Sequence, residues 1–424
     1  MFANHLVMAV LIFVVTYLCI ISEKINRTAV SLLGAVLLLL VNVVNQEEAI
    51  HHVDFNTIGL LIGMMIIVTI TKRTGIFQYI AIKAAKHSKG DPWKIILIFS
   101  IITAVASALL DNVTTILLIV PIALVIADTL EMNPIPFLVP LILAANIGGT
   151  ATLIGDPPNI MIGSATGLGF MDFILNLTPI IIIIFAVVLV VLKFVYKKSL
   201  DVTDAQKSKI MELDESLAIE DFSLLKKSAA VLLLTVLGFI FHQSLGYESA
   251  TIALFGAAIL LLISKIEPEE VLLEIEWPTI FFFMALFVLV GGLEEVGVIK
   301  LMAEKVLAIT HGNETFTIML VLWASAIISS FLDNIPFVAT MIPLIKSIAA
   351  MSGMDVMPLW WALSLGACLG GNGTLVGASA NVIVSGILEK HGHKLSFVDY
   401  MKVGFPIMLL TIAISSVYLL LFYV

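Results

Sequence analysis

Two acid–amide pairs, Asp111-Asn112 and Asp333-Asn334, interrupt apolar sequence and lie 222 residues apart. A carboxylate at membrane depth costs about 2.5–3.5 kcal/mol on insertion scales, so its presence there points to a working ionisable group. The plainer reading is that each aspartate caps a short helix, expected to open at Thr114 or Pro336. Ser, Thr or Asn would cap as well without bringing a charge. Asp111 and Asp333 are therefore the first candidates for carrying protons. Asp156 is a third, although its place before Pro157-Pro158 equally suits a helix cap.

The same offset pairs Gly34 with Gly256, Thr57 with Thr279, Gly75 with Gly297, Pro121 with Pro343, Gly148-Gly149 with Gly370-Gly371, Gly155 with Gly377 and Asn159 with Asn381. Recurrence at one fixed spacing marks a duplicated unit. Each copy follows its acid–amide pair with an apolar stretch broken by paired glycines. The first runs Asn146 to Asn159 through Gly148, Gly149, Thr150 and Thr152, and the second runs Cys368 to Asn381 through Gly370, Gly371, Asn372 and Thr374. The glycines end one half-helix, and Asp156 or Ser379 has the look of an N-cap opening the next. Unwound backbone inside a bilayer needs partners, so these loops should line a polar cavity, with helix N-termini offering free N–H groups. The substrate candidates are those residues with Asn112, Thr114, Thr115 and Asn334; Asn, Thr and backbone groups are neutral hydrogen-bond partners.

The elements that must hold these groups follow from composition. The 424 residues are 60% hydrophobic and 12% charged, which excludes a soluble domain and indicates a polytopic all-α membrane protein. Apolar runs long enough to cross about 30 Å of hydrocarbon occur near 5–22, 28–45, 55–71, 174–196, 228–246, 249–265, 278–293 and 402–424. The two glycine-broken runs, 136–166 and 358–388, bring the crossings to about ten. The segments around the acid–amide pairs have shorter arms: Lys94 to Leu109 is 16 residues, about 24 Å of helix. Each reads as a re-entrant helical hairpin whose tip stops inside the membrane, the alternative being two full crossings with a polar kink.

Basic residues orient the chain. Alternating crossings put nineteen lysines and arginines on one side and only Lys300, Lys305 and Lys346 on the other, which makes the first side cytoplasmic and both termini external. Five crossings separate the two copies, so the second is inverted and the hairpin tips approach the midplane from opposite faces. Residues 1–196 form the first inverted repeat, 197–227 a charged cytoplasmic linker, and 228–424 the second repeat. This is the design of a secondary transporter.

Other features carry less. Glu47-Glu48 and Glu269-Glu270 suit the starts of interfacial helices. His51-His52 with Asp54 reads as a solvated loop, so no metal site is expected. Cys368 lies near the second broken helix, where a thiol could meet a thiophilic solute, although a lone buried cysteine is usually packing. Cys19 and Cys368 make no disulfide framework. GxxxxGK[ST], HExxH and GxSxG are all missing, so neither an enzyme nor a cofactor is expected.

The stretches ALLDNVTTILLIVP and SFLDNIPFVATMIP, with GGTATLIGDPPN after the first, resemble the branch of the ion transporter superfamily that holds the arsenite permeases, NhaD-type sodium/proton antiporters and P proteins. The resemblance covers essentially the whole chain and implies an inverted-repeat fold and ion-coupled transport. Dicarboxylate members of that superfamily carry Ser-Asn-Thr motifs at comparable places; Asp111-Asn112 and Asp333-Asn334 depart from them. With no Lys or Arg in the tips or broken loops, an anion would meet only carboxylates. The expected activity is proton-coupled efflux of arsenite or antimonite, which are uncharged hydroxides near neutral pH, with sodium/proton antiport as the alternative. The expected partners are the solute or Na+, H+ and the lipid bilayer of the cytoplasmic membrane, with no nucleic acid. A homodimer is left open, and an ATPase subunit is implied by the resemblance alone.

Overall fold

The computed structural model describes residues 2–22, 24–197 and 200–424; Lys198, one of the nineteen basic residues above, lies outside the described residues. All regular structure among them is helical. The first half runs α1 (Phe2–Ser22), α2 (Arg27–Leu40), α3 (Gln46–His52), α4 (Phe55–Lys72), α5 (Ile76–His87), α6 (Pro92–Leu109), α7 (Asn112–Thr129), α8 (Ile135–Gly149), α9 (Pro157–Thr166) and α10 (Phe170–Tyr196). After α11 (Asp204–Met211) and a 3-10 turn at Glu215–Ala218, the second half repeats that order. It comprises α12 (Phe222–Leu245), α13 (Ser249–Ser264), α14 (Pro268–Leu273), α15 (Trp277–Glu295), α16 (Val298–Thr310), α17 (Glu314–Phe331), α18 (Asn334–Ser352), α19 (Met357–Gly370), α20 (Ser379–Lys390) and α21 (Phe397–Phe422). Residues 222–227 of the expected linker are thus the first turns of α12.

Ten helices among the described residues are long and apolar enough to cross a membrane, but they are not quite the ten anticipated. Both arms of each hairpin, α6 with α7 and α17 with α18, are 18 or 19 residues long and qualify, whereas α2, α13, α8 and α19 are shorter. The estimate of a 16-residue arm fails because Asp91 caps α6, accepting from Lys94 N at 2.9 Å, and Pro92 opens it two residues earlier. The helices after Asp111 and Asp333 are likewise long, and begin at Asn112 and Asn334. Glu47-Glu48 and Glu269-Glu270 sit in the first turns of α3 and α14.

Contacts between the halves come in matched pairs. Helix α2 packs on α15 as α13 packs on α4, and α9 packs on α18 as α20 packs on α7. Within each half the hairpin arm lies along the first broken half-helix, α6 on α8 and α17 on α19. Glycine permits both approaches: a Cβ on Gly148 would strike the Ala104 backbone, and one on Gly370 would lie 2.7 Å from Ala326 Cα. Small residues at such seams let helices close without a hydrophobic driving force.

Gly148→Ala and Gly370→Ala should each lower the stability of the purified protein by roughly 1–3 kcal/mol through overpacking. Gly386→Ala, where a methyl inside α20 meets nothing within 4 Å, should not lower the melting temperature and should gain up to about 1 kcal/mol from helix propensity. Thermal unfolding in detergent checks all three, and equal stability would break the account of these seams.

Candidate functional site

Helix α8 stops at Gly149 and α9 starts at Pro157; α19 stops at Gly370 and α20 starts at Ser379. The loops between them, 150–156 and 371–378, fold against the tips of their own hairpins. A Cβ on Gly155 would sit 2.7 Å from Ser107 O, and one on Gly377 2.9 Å from Ser329 O. Ser107 Oγ donates to Ala145 O at 2.6 Å and Ser329 Oγ to Ala367 O at 2.7 Å, while Thr152 and Thr374 donate to Ala108 O and Ser330 O. Thr150 Oγ1 donates back to Asn146 O at 2.7 Å. The hydroxyls of Thr150, Thr152 and Thr374 therefore hold backbone in place.

Asn159 and Asn381 carry out the same task in both copies. Asn159 Nδ2 donates to Thr150 O and Thr152 O at 3.1 and 2.8 Å, and Asn381 Nδ2 to Gly371 O and Thr374 O at 2.7 and 2.9 Å. Each amide satisfies the unwound carbonyls of its own loop and turns its oxygen toward the opposite half. Asn381 Oδ1 accepts from Asn146 Nδ2 at 2.9 Å, and Asn159 Oδ1 accepts from Ser364 Oγ at 2.6 Å with Cys368 Sγ at 3.7 Å.

Asn146 is the bridge. Its Nδ2 also reaches Asn372 Oδ1 at 3.0 Å, and its Oδ1 accepts from Asn112 Nδ2 at 3.2 Å. Asn334 Nδ2 donates to Asp156 Oδ1 at 3.3 Å. These asparagines, Asp156, Ser364 and Cys368 are all buried. Contacts across the two halves make the cluster, so neither half contains it alone. Asn372 Nδ2 and Thr115 Oγ1 are buried with no partner in the protein, an unusual state for polar groups in a packed interior.

Four expectations need correction. Asp156 occupies the N-cap position of α9 but makes no side-chain cap bond; its carboxylate goes to Asn334 instead. Ser379 does not cap α20, where Ala378 is the N-cap; its hydroxyl goes to Asp333 Oδ2 at 2.7 Å. The second tip does carry a cation, since Arg27 Nη1 lies 2.9 Å from Asp333 Oδ2 and 2.8 Å from Ser379 Oγ. Sequence distance concealed this, because Arg27 belongs to α2. Thr114, finally, is half-buried and lines a cavity with Lys72, Glu274 and Glu276, none of which belongs to the asparagine cluster.

Both tip aspartates do cap, Asp111 Oδ1 accepting from Thr114 N at 2.8 Å and Asp333 Oδ1 from Ile335 N at 3.0 Å. Gly148, Gly149, Gly370 and Gly371 serve the backbone geometry. Elsewhere, His52 Nε2 meets Glu295 Oε1 at 3.2 Å, and Asp54 caps α4 and accepts from Ser164 Oγ at 2.8 Å.

A fold and site of this kind can be compared with known proteins. The model of the citrate transporter family, CitMHS, matches residues 17–366. The chain belongs to that family. It is 41% identical to the 46 kDa membrane protein of Mycobacterium leprae over 98% of this chain and 99% of that one. An uncharacterized transporter of Mycobacterium tuberculosis is 42% identical, over 98% of each chain. The human P protein is 34% identical over 96% of this chain and 59% of its own length, which bears out the P-protein resemblance. The crystal structure of the Alcanivorax borkumensis YdaH transporter matches with a TM-score of 0.58 and 15% identity, covering 88% of this chain and 86% of that one. At that identity the likeness concerns the fold. This family member is therefore a multi-pass membrane transporter.

Asn146→Ala removes three hydrogen bonds at once and strands buried amide groups, which costs on the order of 1–3 kcal/mol. The purified variant should melt earlier than wild type, and Asn159→Ala should do the same through its loop carbonyls. A wild-type melting temperature in both would show that the cluster does not hold the halves together.

Proposed function

We propose that the chain is a proton-coupled antiporter extruding arsenite or antimonite. The observation that carries this reading is the chemistry of the central cluster: six asparagines, a serine and a thiol around the single carboxylate of Asp156. Among the described residues no lysine or arginine hydrogen-bonds to those asparagines, and the one cation in contact with a tip carboxylate, Arg27, is already matched by Asp333. An uncharged hydroxide can exchange hydrogen bonds with amide oxygens and N–H groups, Asn372 Nδ2 among them. Cys368 would supply sulfur to a thiophilic centre. The family is described by citrate, yet a tricarboxylate among these asparagines would face the Asp156 carboxylate with no lysine or arginine among the described residues bonded to them.

Sodium/proton antiport is the second reading. The buried Asp156 carboxylate, held by the Asn334 amide, is a hard-oxygen group that would also suit a small cation. In either case Asp111 is taken as the proton-carrying group: like Asp156 its carboxylate makes no ion pair, but unlike Asp156, which accepts from the Asn334 amide, it keeps only its backbone cap bond.

Alternating access follows if the halves are inverted across the membrane. The swapped contacts, α2 on α15 with α13 on α4, fit a two-fold relation. The assignment of faces is supported by clustering. Lys86 pairs with Glu215 at 2.5 Å, Lys209 with Glu131 at 2.6 Å, and Arg73 with Glu270 and Glu274 at 2.9 and 2.7 Å, so the linker, α5 and α14 gather on the side given to the cytoplasm. The cytoplasmic membrane and external termini complete the reading.

Inside-out vesicles with an acidic lumen should accumulate arsenite or antimonite but neither citrate nor succinate, and Asp111→Asn should abolish the uptake while folded protein remains. Sodium that dissipates the pH gradient while arsenite is ignored would install the second reading. Citrate uptake would overturn both.

A cysteine at His87, beside the buried Ser88, should label only from the cytoplasm and one at Glu314 only from outside, in a background without Cys19; both positions are exposed. Labelling of both from one face would remove the inversion.

A further inference from the structure

The duplicated tip aspartates sit in unequal surroundings. Asp111 accepts only from a backbone N–H. Asp333 is held from three elements at once: Arg27 at the start of α2, Ser379 at the start of α20, and Ile335 N in its own hairpin. Arg27 is itself braced. Asn26 caps α2 by accepting from Thr28 N and Ala29 N at 3.0 and 3.2 Å, Thr28 Oγ1 donates to Pro278 O at 2.8 Å, and the guanidinium lies 5.0 Å from the centre of the Phe282 ring. The position 222 residues beyond Arg27 is Ser249, so the other half cannot make this contact.

The contact closes something. A cavity of about 380 Å³ is lined by Lys24, Asn26, Arg27, Asp333 and Ser379 along with apolar side chains of α1, the second hairpin and α20. Asn334, next to Asp333, and Asn381, two residues beyond Ser379, are buried members of the cluster behind it. The Arg27–Asp333–Ser379 contact thus lines that cavity one and two residues away from two of the asparagines. Side-chain exposures of 32% for Arg27 and 12% for Asp333 place the pair between a surface bridge and a fully buried one. Such a pair is firm enough to hold and weak enough to part in a cycle.

We propose that Arg27 is the gating residue of this transporter: its charge pair with Asp333, tied down by Ser379, shuts the cluster off from the cavity on one side only. Opening requires the second hairpin tip and the start of α20 to leave α2. Asp333 then serves as the gate's fixed partner, and Asp111 is left as the exchangeable acid. The gate rests on reading the cluster as the solute site, though not on which solute occupies it.

Cys368 supplies a test that needs no transported solute, because it is fully buried inside the cluster. Purified protein in detergent, with Cys19→Ser, is reacted with a hydrophilic maleimide and alkylation of Cys368 is timed by mass spectrometry. Arg27→Gln and Asp333→Asn should each speed the reaction by about tenfold or more, between the small effect of losing an exposed pair and the large effect of losing a buried one. Arg27→Lys should stay close to wild type, and the double reversal Arg27→Asp with Asp333→Arg should return most of the protection. Arg73→Gln, which breaks an ion pair remote from the cavity, should change nothing. Should Arg27→Gln not yield folded protein, Ser379→Ala takes its place, with an expected rate between wild type and Asp333→Asn. Unchanged rates in the single variants, or a double reversal as reactive as they are, would overturn the gate. If the gate behaves as stated while vesicles ignore arsenite, only the choice of solute falls.

Discussion

Unwound backbone buried in an apolar interior must find hydrogen bonds within the protein, and most of this structure follows from how two loops meet that demand. Asn159 and Asn381 each give both amide hydrogens to carbonyls of their own loop. Their oxygens are thereby fixed in direction and face the opposite half. Two members of the asparagine cluster are thus a consequence of loop satisfaction: the amides that repair the broken helices also present oxygens to the polar centre. Glycines at 148, 155, 370 and 377 let hairpin, loop and half-helix approach closely enough for this to work.

Duplication gives the frame, and departures from duplication give the chemistry. Asn146 corresponds to Cys368, Asp156 to Ala378, Thr150 to Asn372 and Arg27 to Ser249. Each substitution places one kind of group on one side only, so that the bridge, the buried acid, the thiol and the cation all lack twins. A symmetric centre could hold a solute equally from both halves. The asymmetric one has a charge-paired contact on the Asp333 side and an unpaired carboxylate at Asp111 on the other, the division of labour on which the proposed coupled exchange rests.

Much of this was legible in the sequence. The 222-residue offset marks the loops, the tip acids and most of the asparagines, because each is a polar group in apolar surroundings at or beside a repeated position. Hairpin arm length was misjudged because Asp91 and Pro92, polar and helix-breaking in composition, in fact start α6. Arg27 could not be found from spacing: it lies 306 residues from Asp333 and has no counterpart in the other half. Ser364 matches Ile142 and was invisible for the same reason. Ser107 and Ser329 were within reach, since they obey the offset. Thr150, Thr152 and Thr374 stand differently: polar type marks them for solute, while in the structure their hydroxyls donate to backbone carbonyls.

The central claim is that solute bound among the asparagines and a proton bound at Asp111 oppose each other, so each must lower the protein's affinity for the other by the same factor. Calorimetric titration of purified protein with arsenite, repeated in buffers of different ionisation enthalpy, measures the protons released on binding. Release of about one proton per bound arsenite in wild type, by that linkage, and none in Asp111→Asn is the predicted result. Arsenite that binds wild type without releasing protons, or fails to bind at all, would contradict it.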